Sequence, residues 1–241
     1  MPPEFSIITV CFNSEKTIQR TLQSVLDQTY ENYEYIIVDG ASTDRTIDIV
    51  RSFMPLFNGK MRVISEPDQG IYDAMNKGIR NAKGTLIGMV NSDDYYEPDA
   101  LENIHNAYTG YEYSIIYGLL RKVKDCQEVS VYMNNASFLE STMITHPTCF
   151  VSKAVYDDFG LYSMKYKYSA DYEFMLRMHG QKEVQFFECY KIISNFSVDG
   201  ASGSVKGYRD TLRLKHEYKL LGGFRYYWPM LKSWIVLKLG R

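Results

Sequence analysis

Four short apolar segments alternate with amphipathic segments over the first 90 residues, and this alternation restricts the fold more than any other feature of the sequence. The apolar segments are residues 5–10, 35–38, 61–65 and 86–90. Behind the first of them, Ile18, Leu22 and Val25 recur at helical spacing, and the next two are followed by similar patterns. Apolar strands that alternate with helices predict an α/β protein whose mostly parallel central sheet is covered by helices on both faces.

The second half of the chain alternates less regularly. A helix is predicted from Pro98 to about Tyr108. The further predicted segments are strands at 113–120 and 127–133, an extended segment at 148–152, and helices ending near 159 and spanning about 170–179. Residues 198–204 are small and predict a mobile lid loop.

Two adjacent carboxylates, Asp93 and Asp94, follow the fourth apolar segment. The carboxyl ends of parallel strands share one edge of a sheet, so Asp39, which closes the second segment, is expected at the same edge. Neighbouring buried carboxylates are costly unless a cation compensates them, and oxygen ligands suit Mg²⁺ or Mn²⁺. The pattern predicts a divalent metal site for a diphosphate, and the alternative is a solvated acidic turn before Pro98.

Four sequence runs together resemble glycosyltransferase family 2, which has the GT-A fold. The runs are residues 6–13 (SIITVCFN), 36–44 (IIVDGASTD), 70–78 (GIYDAMNKG) and 91–94 (NSDD). The resemblance extends to bacterial transferases that build surface polysaccharides of the colanic-acid type. It implies a single GT-A catalytic domain at 1–204, with a nucleotide-sugar-binding half at 1–100 and an acceptor-side half at 101–204. The implied reaction is the inverting transfer of one sugar from a nucleotide-diphosphate donor.

The resemblance also assigns nucleotide contacts to residues near the ends of the first strands. It implies that Asp39 binds the base in a pocket walled by Thr9 and Phe12. Asp68 is implied as a further nucleotide contact. The alternative for Asp39 is a residue that turns the chain and caps a helix, and for Asp68 a simple turn explains the residue equally well.

For the metal, the resemblance implies Asp94 as the main ligand and Asp93 as a ribose or metal contact, with Mg or Mn as the cofactor. Asn91 stands where the family has its first acidic residue, so a chelate that includes position 91 is not expected. Lys206 and Arg209 follow the lid loop and are candidates to clamp the diphosphate, although surface positions explain them equally well.

An inverting transfer needs one base, which removes the proton of the attacking acceptor hydroxyl. Asp171 is the candidate, because it lies where the family places a Glu-Asp pair at a helix start, with Ala170 in place of the Glu. An Asp in a first helical turn also complements the helix dipole, and Glu173 is the second candidate. His146 resembles an acceptor-side histidine of the bacterial subgroup, and a structural role explains it equally well.

The C-terminal segment 205–241 is basic, with nine Lys and Arg against Asp210 and Glu217 in a chain whose formal net charge is −2. From Phe224 onward, aromatic and aliphatic residues are mixed with basic ones, a composition typical of helices that lie on anionic membranes. We therefore expect a basic, aromatic helical extension that contacts the membrane peripherally. The alternative is an ordinary helix packed on the domain.

Location and partners follow from the same features. Four cysteines without Cys-x-x-Cys spacing, and no apolar signal segment, predict a cytoplasmic protein, which a lipid-linked acceptor would bring to the inner face of the cytoplasmic membrane. The expected partners are a nucleotide-diphosphate sugar and a saccharide or polyprenyl-diphosphate-linked acceptor, and no nucleic acid.

Two other functions stay open at this point. The missing carboxylates at Asn91 and Ala170 are compatible with a non-catalytic nucleotide-sugar-binding subunit of a membrane polysaccharide assembly complex. A sugar-phosphate nucleotidyltransferase favours a Gly-rich loop with a basic residue after the first strand, and residues 11–15 (CFNSE) provide neither. A dinucleotide dehydrogenase is excluded by the same missing glycines.

Overall fold

A computed structural model describes residues 2–125, 127–198 and 205–239. Its strands are β1 (Phe5–Cys11), β2 (Tyr33–Asp39), β3 (Met61–Ser65), β4 (Leu86–Met89), β5 (Tyr95–Tyr96), β6 (Ser114–Lys124), β7 (Gln127–Tyr132), β8 (Phe150–Ser152) and β9 (Gln185–Ser197). Its α-helices are α1 (Ile18–Leu26), α2 (Thr46–Phe53), α3 (Ile71–Asn81), α4 (Ala100–Ala107), α5 (Lys153–Phe159), α6 (Ala170–His179), α7 (Val205–Glu217) and α8 (Phe224–Leu239). The predicted lid loop lies outside the described residues except for Val198.

The described strands form one sheet with the order β3-β2-β1-β4-β8-β6-β9-β5, and β7 pairs with β6. The first four strands are parallel, as the sequence predicts. Beyond β4 the sheet is mixed, because β8 runs antiparallel to β4 and β6, whereas β6 and β9 are parallel. The parallel part therefore carries its loops at one edge, where strand carboxyl ends meet.

Two hydrophobic cores cover the two faces of the sheet, as predicted. Side chains alternate along a strand, so in β1 Ile8 and Val10 enter one core and Phe5 and Ile7 the other. The first core packs the sheet against α3, α5 and α6, and the second packs it against α1, α2 and α4. Helices on both faces of one sheet agree with the predicted α/β fold.

Two strands, β5 and β9, have no counterpart among the sequence predictions. β9 is only half-buried and contains Glu188, Lys191 and Asn195, so its sequence lacks a clear period of two. Its pairing with the long strand β6 supplies the stabilisation that its local sequence does not indicate. Helix α1 begins after Thr17, without a side-chain cap.

Helix α7 packs into the first core through Leu214. Asp210 on α7 accepts a hydrogen bond from the backbone N–H of Tyr168 at 2.7 Å. Helix α8 packs against α7, where the rings of His216 and Tyr226 stack 4.0 Å apart. Most of its large apolar side chains stay exposed: Phe224, Tyr227, Trp228, Leu231, Trp234, Ile235, Val236 and Leu237. Within the described part of the chain, no helix is both long and apolar enough to cross a bilayer.

Candidate active site

A cavity of about 740 Å³ opens at the carboxyl ends of β1 and β4, and we call it the donor cavity. The loops that follow these two strands line it together with the segment that leads into α3. Its charged lining residues are Glu15, Lys16, Asp44, Asp68 and Asp93. Four carboxylates against one ammonium make this cavity unfavourable for an anion such as a diphosphate unless a cation binds as well.

Hydrogen bonds join the loops around the donor cavity. The Ser14 and Ser92 hydroxyl oxygens lie 2.8 Å apart and link the loop after β1 to the loop after β4. The backbone N–H of Asn13 donates to the Ser42 hydroxyl at 2.9 Å, and the Asn13 side-chain oxygen accepts from the backbone N–H of Thr43 at 2.9 Å. The cavity walls are thus held together by side chains that the predicted motifs contain.

Asp93 and Asp94 lie at the floor of the donor cavity. Asp93 lines it, while Asp94 is fully buried beside it. The Asp94 Oδ1 atom accepts from the backbone N–H of Ser197 at 3.0 Å, and Oδ2 has no hydrogen-bond partner. Burial, followed by the charge of Asp93, raises the pKa of Asp94 to about 8, against the opposing effects of the Ser197 backbone, the Arg20 charge and the Asn91 side chain. Burial also raises the pKa of Asp93.

These features fit a divalent cation. Buried carboxylate oxygens without donors are rare because they are costly, and a cation that binds Asp94 Oδ2 would remove that cost. The described residues contain no cluster of three or more His, Cys, Asp or Glu side chains that would hold a metal by themselves. A cation at Asp93 and Asp94 would therefore take further ligands from water or from a bound phosphate, as Mg²⁺ usually does.

Of the other residues predicted to contact the nucleotide-sugar donor, some line the donor cavity and others do not. Phe12 is 61% exposed and lines the donor cavity, as does Asp68, which lies against Gly40. Thr9 does not line it, because its hydroxyl lies 2.8 Å from the hydroxyl of Tyr35, a residue of the core that packs against α1, α2 and α4. Asp39 is also fully buried behind the cavity wall.

The Asp39 carboxylate already has several donors. It accepts from the backbone N–H and the hydroxyl of Ser42, and from the Ser65 hydroxyl at 2.7 Å. In this conformation Asp39 stabilises the turn after β2 and offers no free oxygen to a nucleobase. Both serines would have to rearrange before Asp39 could accept a hydrogen bond from a nucleobase.

Asp171 lies at the start of α6 and lines a second cavity, but it does not line the donor cavity. Its Oδ1 atom accepts from the Tyr72 hydroxyl at 2.8 Å, and Tyr72 follows Ile71, which lines the donor cavity. No described residue donates to Oδ2. Glu173 is instead buried, where Oε1 accepts from Arg177 at 3.1 Å and from the Tyr218 hydroxyl at 2.9 Å. The geometry favours Asp171 over Glu173 as a base.

His146 is buried behind Asp171 and lines neither cavity. Its Nε2 atom lies 2.8 Å from the Tyr162 hydroxyl. Burial lowers the pKa of His146, and the nearby charge of Asp171 partly opposes this. The placement gives His146 a packing and hydrogen-bonding role beside the candidate base.

The two predicted clamp residues on α7 are placed differently from each other. Lys206 is exposed at the start of the helix. Arg209 donates to the Met230 carbonyl and the Ser233 hydroxyl, both at 3.0 Å, so it holds α8 against α7. Lys16, which the sequence analysis did not select, is the cation that lines the described donor cavity. Its position after β1 is the signal that could have identified it.

Arg20 is another residue that the sequence motifs do not identify. Its Nη2 atom donates to the Asp93 carbonyl and to the Ser197 hydroxyl, both at 2.8 Å. Its guanidinium also lies 4.4 Å from the centre of the Tyr95 ring. Arg20 thereby joins the carboxylate loop to the end of β9, where Ser197 lies 104 residues after Asp93 in the sequence.

Comparisons with known proteins agree with this architecture. The family model for Glycosyl transferase family 2 matches residues 6–171. A Mycobacterium tuberculosis PGL/p-HBAD biosynthesis glycosyltransferase is 27% identical over 237 residues, which cover 96% of this chain and 91% of that protein. The hyaluronan synthase of Pasteurella multocida is 39% identical over 100 residues, which cover 42% of this chain and 10% of the synthase.

Solved structures share the fold. S. aureus TarS residues 1–349 in complex with UDP-GlcNAc superpose with a TM-score of 0.70 at 19% identity, covering 88% of this chain and 65% of that one. The mannosyltransferase PcManGT from Pyrobaculum calidifontis, in complex with GDP-Man and Mn²⁺, gives a TM-score of 0.67 at 17% identity, covering 99% of this chain and 71% of that one. This chain thus spans slightly less than two thirds of the matched TarS chain.

Proposed function

The chain belongs to glycosyltransferase family 2 and is a glycosyltransferase, and from this premise we propose that it is a metal-dependent, inverting enzyme. It moves one sugar from a nucleotide-diphosphate donor to a saccharide or lipid-linked acceptor in cell-surface polysaccharide biosynthesis. The catalytic domain is residues 1–204, with residues 205–241 as a basic helical extension.

One observation carries the proposal: the Asp93 and Asp94 pair at the floor of the donor cavity, with an unpartnered buried oxygen on Asp94. A divalent cation bound there would neutralise the charge that develops on the departing diphosphate. The known complexes of structural neighbours support this, since PcManGT is described with GDP-Man and Mn²⁺ and TarS with UDP-GlcNAc.

Within this function the chain's residues have distinct tasks. Asp68 and Phe12 hold the nucleotide in the donor cavity, and Lys16 and Lys206 contribute positive charge toward its phosphates. Asp171 removes the proton from the acceptor hydroxyl through Oδ2. The hydroxyl oxygen then bonds to the anomeric carbon, while the bond to the diphosphate breaks on the opposite side and its electron pair leaves with the nucleotide. The anomeric configuration is inverted.

Helix α8 provides the peripheral membrane contact in this proposal. Its exposed aromatic and aliphatic side chains can insert at the level of the lipid headgroups, while Arg225 and Lys232 meet anionic lipids. Vesicles of pure phosphatidylcholine and vesicles with one third phosphatidylglycerol test this by co-sedimentation. We expect binding to the anionic vesicles only, and a large loss in a Trp228→Ser, Trp234→Ser double variant. Equal binding by the variant would contradict the membrane role of α8.

The proposed function is tested by thermal unfolding with UDP-, GDP-, CMP- and dTDP-sugars, each with Mn²⁺ and with a chelator. A ligand that binds only the folded state raises the melting temperature. We expect one nucleotide to give a shift that requires the metal in the wild type and is lost in Asp94→Asn. A shift of equal size in chelator would contradict the metal dependence, and no shift with any donor would contradict the donor cavity.

A further inference from the structure

A second cavity, of about 280 Å³, has Asp171 in its lining. Three segments that are distant in sequence form it: the loop at 141–143, the start of α6 and the middle of α7. Hydroxyl groups dominate its lining, and its charged residues are Asp171 and Lys215. We call it the acceptor cavity.

Lys215 is incompletely satisfied in this cavity. Its ammonium donates to the Ser141 carbonyl at 2.7 Å and lies 5.5 Å from the centre of the Tyr172 ring. An ammonium has three donors, and none of the ion pairs among the described residues includes Lys215. Burial lowers the pKa of Lys215, which is the effect of lost hydration without a compensating carboxylate.

The cavity therefore has charges of opposite sign in its lining. Asp171 and Lys215 both line it but do not form an ion pair. Asp171 requires an acceptor hydroxyl, whereas Lys215 favours an anionic oxygen. A ligand with both groups would be bound in one orientation, with its hydroxyl at the base.

The acceptor cavity also lies near the junction with α8. Lys215 precedes His216, whose ring stacks on Tyr226 in α8. Ser169 and Thr211, which both line the cavity, have hydroxyl oxygens 2.9 Å apart, so α6 and α7 are joined at its wall.

On the basis of the proposed function, we infer that the acceptor cavity binds an acceptor with an anionic group, and that Lys215 recognises this group while Asp171 takes the proton of the acceptor hydroxyl. The anion is either a phosphate of a carrier or the carboxylate of an acidic sugar. Both provide the oxygens that the free Lys215 donors require.

Methyl NMR of the full chain labelled with [¹³C-methyl]methionine tests the inference, because Met143 lines the acceptor cavity. A Met143→Leu variant assigns the reporter signal. Inorganic pyrophosphate, glucuronate and glucose are titrated separately with a chelator present, so that no metal holds pyrophosphate in the donor cavity. The protein variants are Lys215→Met, Lys215→Arg, and Arg213→Met as a matched control at an exposed position of α7.

We expect at least one anion to shift the Met143 signal saturably and glucose to leave it unchanged. Lys215→Met should weaken this binding by about tenfold or more, Lys215→Arg should retain most of it, and Arg213→Met should match the wild type. A response to pyrophosphate alone supports a phosphate-bearing acceptor, and a response to glucuronate alone supports an acidic saccharide.

Two results would overturn the inference: no saturable shift with either anion, or equal affinity in the wild type and Lys215→Met. Thermal shifts with the nucleotide-sugar panel on the same samples separate this failure from failure of the proposed function. Donor binding without a Met143 response rejects only the role of Lys215. Anion binding without any donor binding rejects the acceptor assignment together with the proposed function.

Discussion

The donor cavity and the acceptor cavity are built in different ways. The donor cavity is formed mainly by short loops that directly follow parallel strands, within the first 93 residues apart from Phe196. The acceptor cavity joins three segments between residues 141 and 215. The first is specified by local motifs, and the second depends on how distant helices pack.

The two cavities also differ in the charges of the side chains that line them. In the donor cavity, acidic residues exceed the single described cation, and the cost of their charge is met by a bound metal in the proposed function. In the acceptor cavity, one cation and one carboxylate face a lining of hydroxyl groups. Binding of the donor should therefore depend on a metal, whereas binding of the acceptor should depend on Lys215.

The largest expected effect separates binding from chemistry. Asp171→Asn should lower kcat by about 10²–10⁴-fold, because an amide cannot take the acceptor proton, while the metal-dependent donor shift stays at the wild-type value. Glu173→Gln is the matched variant. It should lower the melting temperature, because it weakens the pair with Arg177, but should keep kcat within about tenfold of the wild type. A wild-type kcat in Asp171→Asn would remove Asp171 as the base.

The next effect concerns the stability of the folded protein when no metal is bound. Asp94 has a pKa of about 8 in the folded protein against 3.8 ordinarily, so the folded state holds a proton that the unfolded chain has released. In chelator, the free energy of unfolding should fall between about pH 4 and pH 8, by a few kcal/mol more in the wild type than in Asp94→Asn. Chemical denaturation at pH 5 and pH 8 measures this difference.

The exposed Asp48 provides the control for that comparison. Asp48→Asn should retain the wild-type dependence on pH, since its carboxylate is hydrated in both states. If the free energy of unfolding changed with pH equally in the wild type and in Asp94→Asn, burial of the Asp94 carboxylate would not destabilise the folded protein.

A smaller effect tests the connection between the two cavities. Tyr72→Phe removes the hydrogen bond that joins α3 to Asp171 at the start of α6. We expect kcat to fall by about 10- to 150-fold, because a hydrogen bond to a charged group contributes about 1.5–3 kcal/mol, with donor affinity unchanged. Tyr113→Phe removes a similar bond to Asp158 elsewhere and should leave kcat unchanged. Equal rates in both variants would show that Tyr72 does not position the base.

The smallest effect is confined to the donor cavity. A Cβ atom at Gly40 would collide with the Asp68 carboxylate, whereas one at Gly222 would meet no atom within 4 Å. Gly40→Ala should therefore destabilise the protein by about 1–3 kcal/mol and weaken donor binding, while Gly222→Ala should do neither. Thermal unfolding with and without the donor measures both. Unchanged donor binding in Gly40→Ala would show that the position of Asp68 does not matter for the nucleotide.

The sequence by itself determined the parallel half of the sheet, the helices on both faces and the location of Asp93 and Asp94. These features are local, because apolar runs define buried strands and the residue after a strand must lie at its carboxyl end. The family resemblance, rather than a local pattern, pointed to Phe12 and Asp68, and both line the donor cavity. The helical pattern predicted α6, with Asp171 near its start.

Only the tertiary structure decided how the remaining residues are used. Thr9 faces Tyr35, Arg209 holds α8, and Asp39 is bonded to serines, since the side-chain environment depends on neighbours that no local pattern specifies. Strand β9 forms through its partner β6, although its own sequence lacks a strand period. Lys215 enters the acceptor cavity because α7 packs beside α6. Contacts between residues far apart in the chain are set by the packing of the whole fold, and this is why they could not be predicted from local sequence.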